Sequence, residues 1–255
     1  MLGEEYTAVA KAASTKVQFL KNNPVGYFIL SSLAGMYIGF GILLIFSIGG
    51  MLNGQPFTKI IMGLAFGIAL SLVVIAGAEL FTGNNMVMTG GIVMKTISMR
   101  DACNLWVVCF IGNWTGSFLL AVIFKMAGLA SGNVGEFIAS SAATKMHLPF
   151  TELFMRGILC NILVCLAVWC SMKCKSESGK LIMIFWCLFA FITSGFEHSV
   201  ANMTLLTISL LAPFEQAVSL SGYFYNLFAV TLGNMVGGIL FVALPYYLIS
   251  KKKEA

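Results

Sequence analysis

Residues 194–202 read SGFEHSVAN and set Glu197 beside His198 inside the largely apolar run 181–211. An earlier stretch, GAELFTGNN at 77–85, has the same outline. Gly77 aligns with Gly195, Glu79 with Glu197 and Asn84 with Asn202. A second pair follows in the same order. FIGNWTGSFLL (110–120) aligns with TLGNMVGGILF (231–241), matching Gly112, Asn113 and Gly116 to Gly233, Asn234 and Gly237. The two offsets are 118 and 121 residues, so two independent matches argue for a duplicated unit.

Composition says what that unit is made of. The 255 residues are 59% hydrophobic and only 10% charged, with a mean hydropathy of +0.92. A soluble domain carries roughly 25% charged residues. So few charges cannot coat a globule in water, which points to a polytopic membrane protein. Apolar runs lie at about 27–49, 60–95, 102–124, 152–172, 181–211 and 222–249. Each reaches the roughly 20 residues that a bilayer core demands. The second and fifth are too long for one plain helix and are interrupted at GAELFTGNN and SGFEHSVAN.

Each unit therefore holds three spans. Three is odd, so the copies enter the membrane from opposite sides and form an inverted repeat. Such folds place the substrate path near the midplane, between paired broken helices. A break frees backbone amides and carbonyls, tolerated only where protein or water satisfies them. The interruptions therefore point inward. The expected organisation is an N-terminal cytoplasmic helix (1–26), a first three-span repeat (27–125), an external connection (126–151), a second repeat (152–249) and a cytoplasmic tail (250–255). Lysine and arginine set the orientation. Lys11, Lys16, Lys21, Lys95, Arg100, Lys173, Lys175, Lys180 and Lys251–Lys253 fall on one side, eleven of fifteen basic residues. The positive-inside rule places both termini in the cytoplasm. No short apolar core with a small-residue cleavage site opens the chain, so no removable signal peptide is expected.

Other features have plainer readings. Gly35/Gly39, Gly63/Gly67, Gly112/Gly116 and Gly233/Gly237 are spaced for close helix packing. The seven cysteines form no CxxC pair and read as reduced packing residues. The excess of +5 is too small and scattered for a nucleic-acid footprint.

An ionisable group in a membrane core is a functional hypothesis by default, because a charge there costs from about 3 to over 10 kcal/mol. That singles out His198; His147, in a hydrophilic stretch, reads as a surface residue. Glu79 and Glu197 occupy equivalent places and share a structural job, accepting hydrogen bonds from amides at the helix breaks, or else touch substrate. Asn84 and Asn202 join that bracing group. Lys145 either is a solvated loop lysine or dips into an external vestibule and attracts anions. Thr82 offers an uncharged hydroxyl that could face His198 across the path.

These residues carry a resemblance. GAELFTGN (77–84), FMRGILCNILVCLAVW (154–169), SGFEHSVANM (194–203) and NNPVGYFILSSLAGMYIGFGILLIF (22–46) are similar to the formate/nitrite transporter family across essentially the whole chain. The resemblance implies an all-α membrane fold of six spans per protomer, an aquaporin-like inverted repeat with helices 2 and 5 broken, a homopentamer in the plasma membrane and one pore per protomer. It implies no cofactor. It makes His198 the central pore histidine with Thr82 opposite, supported by Lys145, Asn161 and Glu197. It also assigns Leu70, Leu80 and Phe191 to an inner apolar constriction and Phe66, Phe81 and Val164 to an outer one. Within the family, the run of the sequence resembles the hydrosulfide and nitrite branches, hydrosulfide first. The aquaporin NPA triplets are absent from both interruptions, which disfavours a water or glycerol channel.

The expected function is a channel for small monovalent anions of weak acids: hydrosulfide, nitrite or formate. His198 relays a proton, and the neutral acid slips past the apolar rings. A proton-coupled transporter with alternating access fits the repeat equally well. A redox enzyme is excluded because two histidines, one outside the core, cannot hold a haem pair.

Overall fold

The computed structural model describes residues 3–250. The basic residues Lys251–Lys253, counted above toward the orientation, and all but the first residue of the expected tail lie outside the described residues. Regular structure among the described residues is helical throughout.

The chain opens with α1 (Gly3–Asn22), whose buried residues Tyr6, Val9, Ala10, Ala13 and Val17 line one face. α2 (Pro24–Met51) starts where Pro24 occupies the first turn, which lacks an acceptor for its amides in any case. The Asn23 side chain accepts the Gly26 N–H there at 2.8 Å. Next come α3 (Thr58–Ala65), α4 (Ile68–Leu72) and a π-helical turn (Val73–Gly77), then α5 (Phe81–Val93). α6 (Met99–Met126) begins with a reciprocal cap. Ser98 Oγ accepts the Asp101 N–H at 3.1 Å and the Asp101 carboxylate accepts the Ser98 N–H at 3.2 Å. The second half runs α7 (Gly132–His147), α8 (Phe150–Lys173), α9 (Glu177–Thr193), α10 (Ser199–Leu211), α11 (Leu220–Gly238), a π-helical turn (Ile239–Ala243) and α12 (Leu244–Ser250).

Five helical stretches are long and apolar enough to cross a membrane: Pro24–Met51, Thr58–Gly77, Met99–Met126, Phe150–Lys173 and Leu220–Ser250. The remaining expected span, 181–211, comes as the pair α9 and α10, of 17 and 13 residues. The breaks are narrower than the quoted motifs. Helix resumes at Phe81 and at Ser199, so only 78–80 and the turn at 194–198 leave the helical path. Gly77 and Gly195 turn the chain there at φ +79° and +75°, a region a side chain disfavours. The stretch 126–151, expected as a connection, holds the sixteen-residue helix α7.

Close packing of α2 on α6 and of α8 on α11 repeats the same device. A methyl at Gly35 would collide with the Asn113 carbonyl and one at Gly116 with that of Ser32. One at Gly233 would collide with the Phe154 carbonyl and one at Gly237 with that of Ile158. These glycines bring helices of one protomer together. Large apolar side chains such as Ile29, Val107, Leu159, Trp186 and Phe228 stay exposed, as a surface turned to lipid or to neighbouring subunits requires.

Candidate pore and anion site

Two asparagines from the long helices hold the breaks open. Asn113 on α6 accepts the Phe81 N–H at 2.9 Å and donates to Ser31 O (2.7 Å) and Glu79 O (2.8 Å). Asn234 on α11 accepts the Ser199 N–H at 2.9 Å and donates to Gly157 O (2.8 Å) and Glu197 O (3.0 Å). Both are fully buried. The amide bracing expected of Glu79 and Glu197 therefore belongs to Asn113 and Asn234. An asparagine carries donor and acceptor at once, whereas a carboxylate only accepts.

The carboxylates instead anchor lysines. Glu197 binds Lys145 Nζ on α7 at 2.5 Å and accepts from Asn202 Nδ2 at 2.7 Å. Asn202 in turn donates to Asn226 Oδ1 (2.8 Å), and Asn226 donates to Lys145 O (3.0 Å). Glu79 binds Lys16 Nζ on α1 at 2.5 Å and accepts from Asn84 Nδ2 (2.9 Å) and Tyr27 Oη (3.0 Å). Lys145 is thus a partly buried lysine, 20% exposed at its side chain, in place of a loop residue. Lys16 is its counterpart, expected in the N-terminal helix but with no partner named for it. The signal was present: each lysine lies in the segment just ahead of its repeat's first span.

Between the breaks the two halves differ. His198 stands where the first half has Leu80. It caps α10, its Nδ1 accepting the Ala201 N–H at 3.1 Å. A backbone N–H only donates, so the ring proton sits on Nε2, which lies 3.0 Å from Thr82 Oγ1. Asn161 supports Thr82 from behind, donating to Thr82 O (3.2 Å) and Asn234 O (2.6 Å).

Three spaces lie in a row. A cavity of about 270 Å³ opens on the α7 side, walled by Lys59, Lys145, Arg156, Phe191, Glu197 and His198. A second, of about 450 Å³, lies on the α1 side, walled by Lys16, Leu70, Glu79, Leu80, Gly83 and Asn84. Between them lies a void of about 10 Å³ lined by Ile38, Phe66, Leu70, Leu80, Val164, Leu188, Phe191 and His198. It shares Phe191 and His198 with the first cavity and Leu70 and Leu80 with the second. The Phe66 and Phe191 rings meet edge to face at 5.3 Å, and Phe191 stacks on His198 at 6.1 Å.

The waist departs from the expected grouping. Leu70, Leu80 and Phe191 wall the one small void together, and Phe191 also lines the α7-side cavity. Phe66 and Val164 share that void with them instead of forming a separate ring. Phe81 does not line these spaces; its ring packs on Phe110 at 5.1 Å. The α5 register explains this: Phe81 lies one residue past Leu80 and faces α6. His147 is exposed, with Nδ1 2.7 Å from Ala143 O.

Residues 3–248 match the family model described as formate/nitrite transporter. The chain belongs to the formate/nitrite transporter family. The nitrite transporter NirC of Salmonella typhimurium is 40% identical over 255 residues, all of this chain and 94% of the relative. A solved structure titled FNT family ion channel superposes with a TM-score of 0.93 at 39% identity, covering 97% of this chain and 99% of that one. A pentameric formate channel with formate bound superposes with a TM-score of 0.80 at 30% identity, covering 91% and 99%. Membership makes the protein a membrane transport protein.

Proposed function

We propose that the protein is a homopentameric plasma-membrane channel that carries small monovalent anions across each protomer as their neutral conjugate acids, hydrosulfide foremost. The observation behind this reading is the row of two vestibules, each carrying a lysine–glutamate pair, on either side of an apolar waist that carries one imidazole.

In each vestibule a lysine meets the arriving anion while a carboxylate holds part of its charge. Attraction without full binding lets the ion enter and leave. The waist then excludes the charge itself. Stripping water from a bare anion costs nominally tens of kcal/mol, so a base entering such a place takes a proton instead. Neutralising a base above its pKa costs about 1.4 kcal/mol per pH unit. The proton comes from vestibule water at the mouth of the waist, and His198 offers its Nε2–H to the passing molecule as a hydrogen bond.

A relay through the ring would send the Nε2 proton to the anion while a second proton reached Nδ1. Nδ1 already holds the Ala201 N–H, so the cap must open before such a relay runs. The resting ring is therefore a neutral donor.

Hydrosulfide leads for two reasons. Its acid is the weakest of the three, so it is neutralised most readily. The void at the waist is only about 10 Å³, and hydrogen sulfide, with a single heavy atom, is the smallest of the three acids to pass it. Nitrite is the second reading, favoured by the 40% identity to NirC. The test is purified protein in liposomes with hydrosulfide, nitrite and formate fluxes compared across pH. Expected is hydrosulfide flux above the other two, falling as pH rises beyond the acid's pKa. Faster nitrite than hydrosulfide reverses the order; flux independent of pH for all three removes the neutral-acid mechanism. Uphill accumulation driven by a pH gradient is compatible with this neutral-acid mechanism, whereas saturable counterflow that requires a conformational cycle would identify a transporter. Reporter fusions at both termini check the cytoplasmic orientation.

A further inference from the structure

Asn85 is a second polar asymmetry between the halves, and the pore does not use it. It lies on α5 one turn beyond Thr82, fully buried, and neither Nδ2 nor Oδ1 has a protein partner. Its equivalent in the second half, 118 residues on, is Met203. The amide is therefore no part of the duplicated scaffold. A buried amide with no partner is disfavoured in any core and most of all at membrane depth.

A second unpartnered atom lies on α8, which packs against α5. Asn161 gives both donor bonds away, to Thr82 O and Asn234 O, which fixes the orientation of its amide. Its Oδ1 is left with no protein partner although the residue is fully buried. The two side chains approach across Gly238 on α11. A Cβ there would stand 2.9 Å from Asn161 Nδ2, 2.9 Å from Cys165 Sγ and 3.1 Å from Asn85 Cβ. Just past Gly238 the helix loosens into the π-helical turn Ile239–Ala243, a feature that concentrates at functional sites.

We infer that a single buried water binds between the Asn85 amide and Asn161 Oδ1, and that Asn85 is thereby a positioning residue for Thr82. Only a small group that both donates and accepts suits two donors and two acceptors of this kind, and buried waters typically make about three such bonds. The water steadies the Asn161 amide, the amide holds the Thr82 carbonyl, and Thr82 presents its hydroxyl to His198. The positioning role rests on the pore reading above; the water itself does not.

The experiment is a map of the full-length protein in lipid nanodiscs, at a resolution that shows ordered waters, for wild type and Asn85→Leu. Flux–pH profiles accompany it for both and for Asn85→Ser. Expected is a density peak within hydrogen-bond distance of Asn85 and of Asn161 Oδ1 in wild type, lost in Asn85→Leu. The flux–pH midpoint shifts in Asn85→Leu and moves back in Asn85→Ser, whose hydroxyl still binds water. A direct Asn85–Asn161 bond, or no peak, overturns the water site. A peak with unchanged pH profile and maximal flux in Asn85→Leu overturns the positioning role. If wild type passes none of the three anions, the pore reading fails while the map still decides the water.

Discussion

The break at 78–80 and the break at 194–198 are built alike and used differently. Each begins at a glycine of positive φ, each is clamped by an asparagine 34–37 residues further on, and each anchors a lysine through a glutamate five residues before a second asparagine. At the point where the two meet, one offers Leu80 and the other His198. Duplication supplied a scaffold that holds two helix ends open in hydrocarbon. The departure from symmetry places a single imidazole in an otherwise apolar waist, where the proposed mechanism uses it as a hydrogen-bond donor.

The sharpest way to break that comparison is to complete the symmetry. His198→Leu makes the second break like the first and removes both the α10 cap and the Nε2–H donor. Hydrosulfide flux in proteoliposomes is expected to fall about ten- to a hundred-fold, the scale of one hydrogen bond to a charged or polarised group. Unchanged flux would leave the imidazole as a cap alone.

Next come the clamps. Asn113→Ala and Asn234→Ala each strand a buried N–H and two carbonyls. Each group left unsatisfied costs about 1–3 kcal/mol. The expected result is a large and similar loss of thermal stability for both, read by melting of the detergent-solubilised protein. A strong effect at one site only would show that the scaffold is not shared.

The anchors sharpen the comparison further. Glu197→Gln and Glu79→Gln leave Lys145 and Lys16 unneutralised, each on its own side. Anion flux is expected to saturate at lower concentration, with a lower maximum, when substrate enters from the altered side. An effect independent of direction would detach the lysines from the vestibules. Lys145→Ala and Lys16→Ala should weaken uptake at low anion concentration, and the defect should fade at high salt as screening removes steering in wild type.

The smallest effect is expected at Arg156. Its pair with Glu152 is exposed and four residues apart on one helix, a geometry that contributes about 0.3–0.5 kcal/mol. Arg156→Ala should leave stability within that range. Its guanidinium stands in the wall of the α7-side cavity, so any flux change reports electrostatics there.

Much of this was legible along the chain. Apolar run lengths marked the spans, and two aligned motif pairs revealed the repeat and its inversion. Glu79, Glu197 and His198 stood out because charge in an apolar run is costly wherever the run ends up. Thr82 stood out as a hydroxyl in the first interruption and the resemblance added Asn161; the structure puts Thr82 beside His198 and Asn161 behind it. Hidden were the partners. Asn113 and Asn234 were visible as repeat markers, but nothing near them in sequence names the carbonyls they hold. Lys16 sits 63 residues from Glu79. Phe81 and Leu80 are adjacent yet face different helices. α7 was concealed in a stretch whose mixed polarity reads as a connection.

The division follows from the range of the forces involved. Hydropathy and charge act on each segment separately, so the sequence by itself determined that the protein spans a membrane, twice over and in opposite senses. Which side chains meet depends on how helices scores of residues apart lock together at bare glycines. That packing alone decided which carboxylate holds which lysine, and where the apolar waist closes.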